Sequence, residues 1–153
     1  MTDVRVGVVD VVVIRIVGRA WRILTLQRGP HGRSDGSWET VHGRIEAGER
    51  PEVAARRELF EETGLRDERL YSITVNPFYL HQWGSVQLAV VFAAFVTDER
   101  ITLGVEHKKF EWLTMAQAAK RLTWPREVEA LAHIRKLLRS GSAGVVEDTL
   151  RVP

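Results

Sequence analysis

A chain of 153 residues, 44% hydrophobic and 27% charged, has the size and make-up of one domain with one substantial core. Its 22 basic and 20 acidic residues leave a formal net charge of +2, too small an excess to give a strong nucleic-acid signal. Cysteine is absent, which excludes disulfides, thiolate nucleophiles and Cys-ligated zinc. The apolar run from Val6 to Val17 is too short, and too interrupted by Asp10 and Arg15, to read as a membrane span, so no membrane partner is expected and the chain reads as cytoplasmic.

In chain order, Val4 to Val17 is rich in Val and Ile, whose branched side chains suit a pleated surface, and Gly18-Arg19 offers a turn into a second strand from Trp21 to Gln27. The first run barely alternates, which predicts a sheet covered on both faces. Gly29 to Ser37 is a polar, glycine-rich loop, and Trp38 to His42 is a short strand leading to Gly43. Pro51 at a first helical turn and Gly64 as a C-cap predict a helix from about Pro51 to Thr63. Leu70 to Leu80 and Val86 to Thr97 read as strands around a hairpin loop, His81 to Ser85, and Lys108 to Leu113 as a shorter strand. Thr114 caps a short helix to Leu122, and Pro125 to Arg139 has Val128, Leu131, Ile134 and Leu138 at helical spacing. Residues 1–139 are therefore expected to form a single domain, and 140–153 a flexible tail. Strands alternating with helices imply an α/β class with a mixed sheet and helices on both faces.

The most informative stretch is Gly43 to Leu65, GRIEAGERPEVAARRELFEETGL. Glu58, Glu61 and Glu62 fall within an arc of roughly 100° on the predicted helix, with Val53 and Phe60 opposite. Like charges at these spacings destabilise a helix by about 0.2 to 0.5 kcal/mol per pair. Arg57 offsets part of that through Glu61. A hard divalent cation removes it more completely, and magnesium fits best because it binds a few carboxylates while bridging phosphates.

The order Gly43, Glu49, Arg57-Glu58-Leu59, Glu61-Glu62, Gly64-Leu65 matches a complete Nudix box, and the surrounding strands and final helix also resemble a Nudix domain. The resemblance implies an α/β/α sandwich around a mixed β-sheet and hydrolysis of nucleoside diphosphate derivatives by attack of water on phosphorus. It implies that Glu58, Glu61 and Glu62, with the Gly43 carbonyl, hold Mg2+ (Mn2+ being the substitute ion), and that Arg57 and Glu49 orient the helix against the preceding loop. Glu58 is the first choice to accept the water proton, although a ligand and a base look alike in sequence. Glu106, in EHKKFEWL, resembles the distal carboxylate that many members use as ligand or base. His42 stands where many members have a second glycine, which bears on loop shape and substrate contact.

For the substrate, Arg28 ends a TLQR strand similar to members that hold phosphate there, and Arg44 follows Gly43 closely enough to do the same. Phe78, Tyr79, Trp83 and Trp38 are candidate platforms for the leaving group, Trp83 foremost because its loop makes it hard to bury. His31, His81 and His133 lack metal-ligand spacing and read as surface residues. The segments LQR, SWETVHGRIEAGE and EHKKFEWL look most similar to the branch that takes pyrophosphate from nucleoside triphosphates or dihydroneopterin triphosphate. Diadenosine polyphosphate or nucleotide-sugar hydrolysis, and a non-catalytic nucleotide-binding module, are the alternatives. The family also allows a homodimer, for which the apolar start of the chain or Val145-Val146 are the candidate surfaces.

Overall fold

The β-branched opening run forms a 15-residue strand, β1 (Asp3–Val17), and the rest of a single mixed sheet assembles around it. A computed structural model describes residues 1–153. Its strands are β2 (Ala20–Arg28), β3 (Trp38–Glu39), β4 (Val41–Arg44), β5 (Arg69–Leu80), β6 (Ser85–Phe95), β7 (His107–Leu113) and β8 (Arg151–Val152). The helices are α1 (Pro51–Thr63), α2 (Met115–Arg121), α3 (Pro125–Leu137) and a single turn, α4 (Glu147–Leu150). Strand order is β3-β2-β1-β6-β5-β8, with β4 also on β1 and β7 also on β2. The β1–β6 pairing is parallel and the other pairings are antiparallel.

Along β1 the pleat sends Val9, Val11 and Val13 to one face and Val12 and Ile14 to the other. Both faces are covered, and apart from Asp10 the buried stretch Val8–Ile14 is wholly apolar. The first face packs on Ala54, Ala55 and Leu59 of α1, and the second on Ala118 of α2 and Ala130, Leu131 and Ile134 of α3. Ala54 and Ala55 are fully buried and let α1 lie close to the sheet. The predicted bounds of α1 coincide with the observed ones, and Gly64 caps it in the left-handed region at φ 75°. Thr114 forms a reciprocal capping box with Gln117 at the start of α2.

Residues 140–153 correct the expectation of a flexible tail. After a 3-10 turn, Gly144–Val146, and α4, the chain adds β8 to the outer edge of β5 through Leu70↔Val152 and Tyr71↔Arg151. Tyr71 Oη donates to Glu147 at 2.8 Å, and Arg56 donates to the Pro153 carbonyl at 3.0 Å. The open edge of β5 supplies unpaired backbone groups that this short polar segment satisfies. Nothing in its own composition signals that pairing.

Candidate active site

The acidic helix α1 is held to the strand and loop before it by one guanidinium. Arg57 donates to both oxygens of Glu49 at 2.8 and 2.9 Å, to the Arg44 carbonyl at 2.8 Å, to Glu58 at 2.7 Å and to Glu61 at 3.3 Å. Each of its N–H groups thereby has an acceptor. Glu49 is held down to about pKa 2 by these bonds and by the Glu46 backbone N–H. Arg57 and Glu49 thus meet as the sequence suggested.

Glu58 lies directly against Gly43. A Cβ built on Gly43 would overlap the Glu58 carboxyl group, so glycine is required there for space. Glu62 is 5% exposed, accepts a 3.4 Å bond from the His42 backbone N–H through Oε2, and leaves Oε1 buried without a partner. Burial pushes its pKa well above the carboxylate range, and the charges of Glu39, Glu58 and Glu106 push the same way. Burial likewise raises Glu58. Glu61, on the same helix face, is exposed. Glu62, Glu106 and His107 present ligand atoms that all lie within 4.8 Å of one another. An orphaned carboxylate oxygen among several other carboxylates is what a hard divalent cation would satisfy, so this donor set fits such an ion.

Across the same cleft the chemistry changes sign. A cavity of about 320 Å³ is lined by Arg28, Arg33 and Arg44 as well as by Gly43, Glu58 and Glu106. Arg44 stacks over the Trp83 ring at 4.8 Å, so two predicted substrate contacts come together. Arg28 differs from expectation: it is 7% exposed and tied down by a 2.7 Å bond to the Arg33 carbonyl and a 3.2 Å bond to buried Glu39. It forms the wall of the cavity more than a free phosphate hook. Glu39 also takes the His107 Nε2 at 2.9 Å; burial would raise its pKa, but His107, His42 and Arg28 together hold it down.

Several site residues carry no signal in the sequence reading. The pKa of Arg33 is lowered by burial and by the neighbouring charges of Arg28, Arg126 and Arg44, so these guanidinium groups crowd one region. Asp10, which in sequence only interrupts an apolar run, is 1% exposed. It binds His42 Nδ1 at 2.6 Å and Arg126 at 2.9 and 3.3 Å. Burial would raise Asp10, yet His42 and Arg126 more than offset it and its pKa is lowered. His42 is thus a buried strand residue that ties β4 to β1. Glu127 sits below, bonded through Oε2 to the Thr40 N–H and hydroxyl at 2.8 and 2.6 Å, and burial raises its pKa with help from the Asp10 charge. A charged residue inside a Val run is the one sequence signal for this network.

A second cavity, about 270 Å³, adjoins the first through Arg33. Phe78, Tyr79, Trp124 and Arg126 line it. Trp38 lies elsewhere, under the Arg121 guanidinium at 4.4 Å. His31, His81 and His133 are exposed, in line with the sequence reading.

A NUDIX domain model matches residues 5–134. Octanoyltransferase of Myxococcus xanthus is 38% identical over 117 residues, which are 74% of this chain and 32% of that protein. RNA pyrophosphohydrolase of Bartonella tribocorum is 39% identical over 74 residues, 46% of this chain and 42% of that protein. The chain therefore spans less than half the length of these relatives. In fold it is similar to the Caenorhabditis elegans Ap4A hydrolase in a binary complex, with TM-score 0.76 and 20% identity over 89% of this chain and 99% of that one. It is also similar to the NUDIX domain of Shewanella oneidensis NrtR complexed with ADP ribose, with TM-score 0.72 and 16% identity over 90% and 89% of the two chains. No helix is long and apolar enough to cross a membrane.

Proposed function

The chain belongs to the NUDIX domain family, and on that premise we propose that it is a divalent-metal-dependent pyrophosphohydrolase that cuts a nucleoside triphosphate or dihydroneopterin triphosphate into monophosphate and pyrophosphate. The observation that carries this reading is the two-signed cleft: the unpartnered Oε1 of Glu62 among Glu39, Glu58 and Glu106 on one side, Arg28, Arg33 and Arg44 on the other. A cation alone would need only the acidic side. A polyanion bound with a cation uses both.

Glu58, Glu61 and Glu62, with the Gly43 carbonyl, would hold Mg2+, or Mn2+ in its place, and Glu106 flanks them. When bound, the cation supplies neutralisation of the diphosphate charge and a lower pKa for the attacking water. Arg57, anchored by Glu49, keeps Glu58 and Glu61 at fixed positions on the helix. Arg44 and Arg33 take the phosphates that project from the acidic side, and Arg28 gives that wall its charge. Glu58, whose proton affinity burial raises, accepts the proton of the attacking water. Glu106, more exposed, is the alternative base.

The test is a magnesium titration with pyrophosphate release followed over a panel of nucleoside triphosphates, dihydroneopterin triphosphate, dinucleoside polyphosphates and nucleotide sugars. Metal-dependent release from a triphosphate is expected. Tight binding without turnover on any member would replace the enzyme by a binding module. A second reading, a polyphosphate that carries a further nucleoside or an RNA 5′ end, is supported by a groove of about 370 Å³ beyond Trp83 that includes Arg5, Arg44 and Gln87. Preferential turnover of dinucleoside polyphosphates or 5′-triphosphorylated RNA in the same panel would favour it.

A further inference from the structure

The cavity between β5 and the start of α3 has mixed character: aromatic walls from Phe78, Tyr79 and Trp124, and charged side chains that are both arginines, Arg33 and Arg126. Its volume, about 270 Å³, is near the lower end of small-molecule pockets, which start at about 300 Å³, and suits one flat heterocycle. Arg126 lines this cavity and not the polyphosphate one, and its charge is compensated from behind by Asp10.

Arg126 is held in one place. Asp10 takes its Nε and one Nη2 hydrogen at 2.9 and 3.3 Å, and the guanidinium plane lies over the Phe78 ring with its carbon 4.3 Å from the centroid. The Asn76 side chain donates to the Arg126 carbonyl at 3.0 Å and fixes the backbone beneath. Nη1 makes no bond within the protein. Although Nη2 also lies 3.4 Å from His42 Nδ1, that nitrogen donates to the Asp10 carboxylate at 2.6 Å and so cannot accept, which leaves one hydrogen on each of Nη1 and Nη2 as a fork of donors for a ligand.

Resting on the hydrolase reading for the phosphate end, we propose that Arg126 is a specificity-determining residue that selects a fused bicyclic heterocycle whose oxo group lies beside an unprotonated nitrogen of the second ring. In guanine these are O6 and N7, and in a pterin they are O4 and N5. A guanidinium fork donates to both at once. Adenine offers N7 beside an N6 amino donor, which would face a donor across the pocket and leave both unsatisfied.

The test uses binding without turnover: calorimetry of the full chain in EDTA with GMP, IMP, AMP, 7-deaza-GMP, guanosine and neopterin. GMP and IMP, which share the O6/N7 edge, are expected to bind about 10- to 100-fold more tightly than AMP. 7-Deaza-GMP, which lacks the N7 acceptor, falls towards AMP, and this ligand-side comparison needs no mutant. Arg126→Lys keeps a charge on Asp10 but loses the fork, so the GMP preference over AMP drops about tenfold or more while AMP binding changes little. Neopterin is compared with guanosine, which like it carries no phosphate: tighter binding of neopterin identifies a pterin as the source of the edge, and tighter binding of guanosine identifies guanine.

Equal affinity for GMP and AMP, 7-deaza-GMP binding as tightly as GMP, an unchanged preference in Arg126→Lys, or no detectable binding of GMP and neopterin at millimolar concentration overturns the proposal. A GMP preference in a protein that hydrolyses no triphosphate leaves it standing and removes the hydrolase reading. Hydrolysis of all nucleoside triphosphates at one rate, with no GMP preference, does the reverse.

Discussion

Arg57 and Arg126 each grip a carboxylate through two guanidinium nitrogens, one at the rim of the cleft and the other inside the protein. Arg57 holds Glu49, eight residues away in sequence, at 2.8 and 2.9 Å. Arg126 holds Asp10, 116 residues away, at 2.9 and 3.3 Å. Asp10 is 1% exposed, whereas Arg57 faces the cleft with Glu46 and Glu61, both exposed, beside it. At the rim, water takes over when a partner is lost, and what suffers is the aim of the Glu58 and Glu61 carboxylates that Arg57 holds. In the interior no water takes the place of Asp10, and Arg126 is left half-buried at the cavity wall without its compensating charge. The same pair of groups thus serves geometry in one place and stability in the other.

The largest effect expected from breaking either side is on chemistry. Glu62→Gln keeps shape and removes charge, so turnover should fall by about two to four decades while the thermal midpoint holds or rises. Pyrophosphate release under saturating magnesium measures it, and near-normal rates would sink the role given to this carboxylate. On the buried side, Asp10→Ala strands Arg126 and should destabilise the fold by about 3 to 5 kcal/mol in urea titrations. A loss under about 1 kcal/mol would mean that the interior pair is solvated after all.

Gly43→Ala inserts a Cβ where the Glu58 carboxyl group sits and should slow turnover about 10- to 100-fold by displacing it. Glu49→Gln weakens the anchor of Arg57 and should give a smaller fall in kcat, with no change in urea midpoint. If Glu49→Gln instead lowered the midpoint as Asp10→Ala does, the contrast between rim and interior would be wrong.

The smallest effect is on pH. Folded Glu127 binds its proton more tightly than the unfolded chain does. As pH rises above its ordinary 4.5, the unfolded state releases that proton first, and stability falls until the folded carboxyl ionises as well. Asp10 works in the opposite sense: lowered below its ordinary 3.8, it stabilises the fold above that value, and the contribution is lost as pH falls through its folded value. Glu127→Gln should therefore flatten the decline in urea midpoint between about pH 5 and 8. An unchanged slope would place its origin in another group.

The acidic rim is legible in the sequence because its residues are local. Pro51, Gly64 and the spacing of Glu58, Glu61 and Glu62 specify a helix and one face of it, and Arg57 reaches Glu49 within the same loop and helix. The sheet is legible in outline for a similar reason, since β-branched runs mark strands whatever their partners. Arg28 shows the limit: a strand-end arginine reads as a phosphate contact, and only the loop folded over it and the carboxylate of Glu39 make it buried. The edge strand β8 is invisible in sequence because its two residues become a strand only where β5 leaves an edge open.

By itself the sequence determined the acidic helix, its carboxylate face and the family, because helix periodicity, caps and the box motif act over a few turns of chain. Tertiary structure alone decided that Asp10 meets His42 and Arg126, that Glu39 meets Arg28 and His107, and that Arg33 and Arg126 converge on an aromatic pocket. Those contacts join strands and helices far apart in the chain. A buried charge must find its partner in space, and no local pattern records which one it finds.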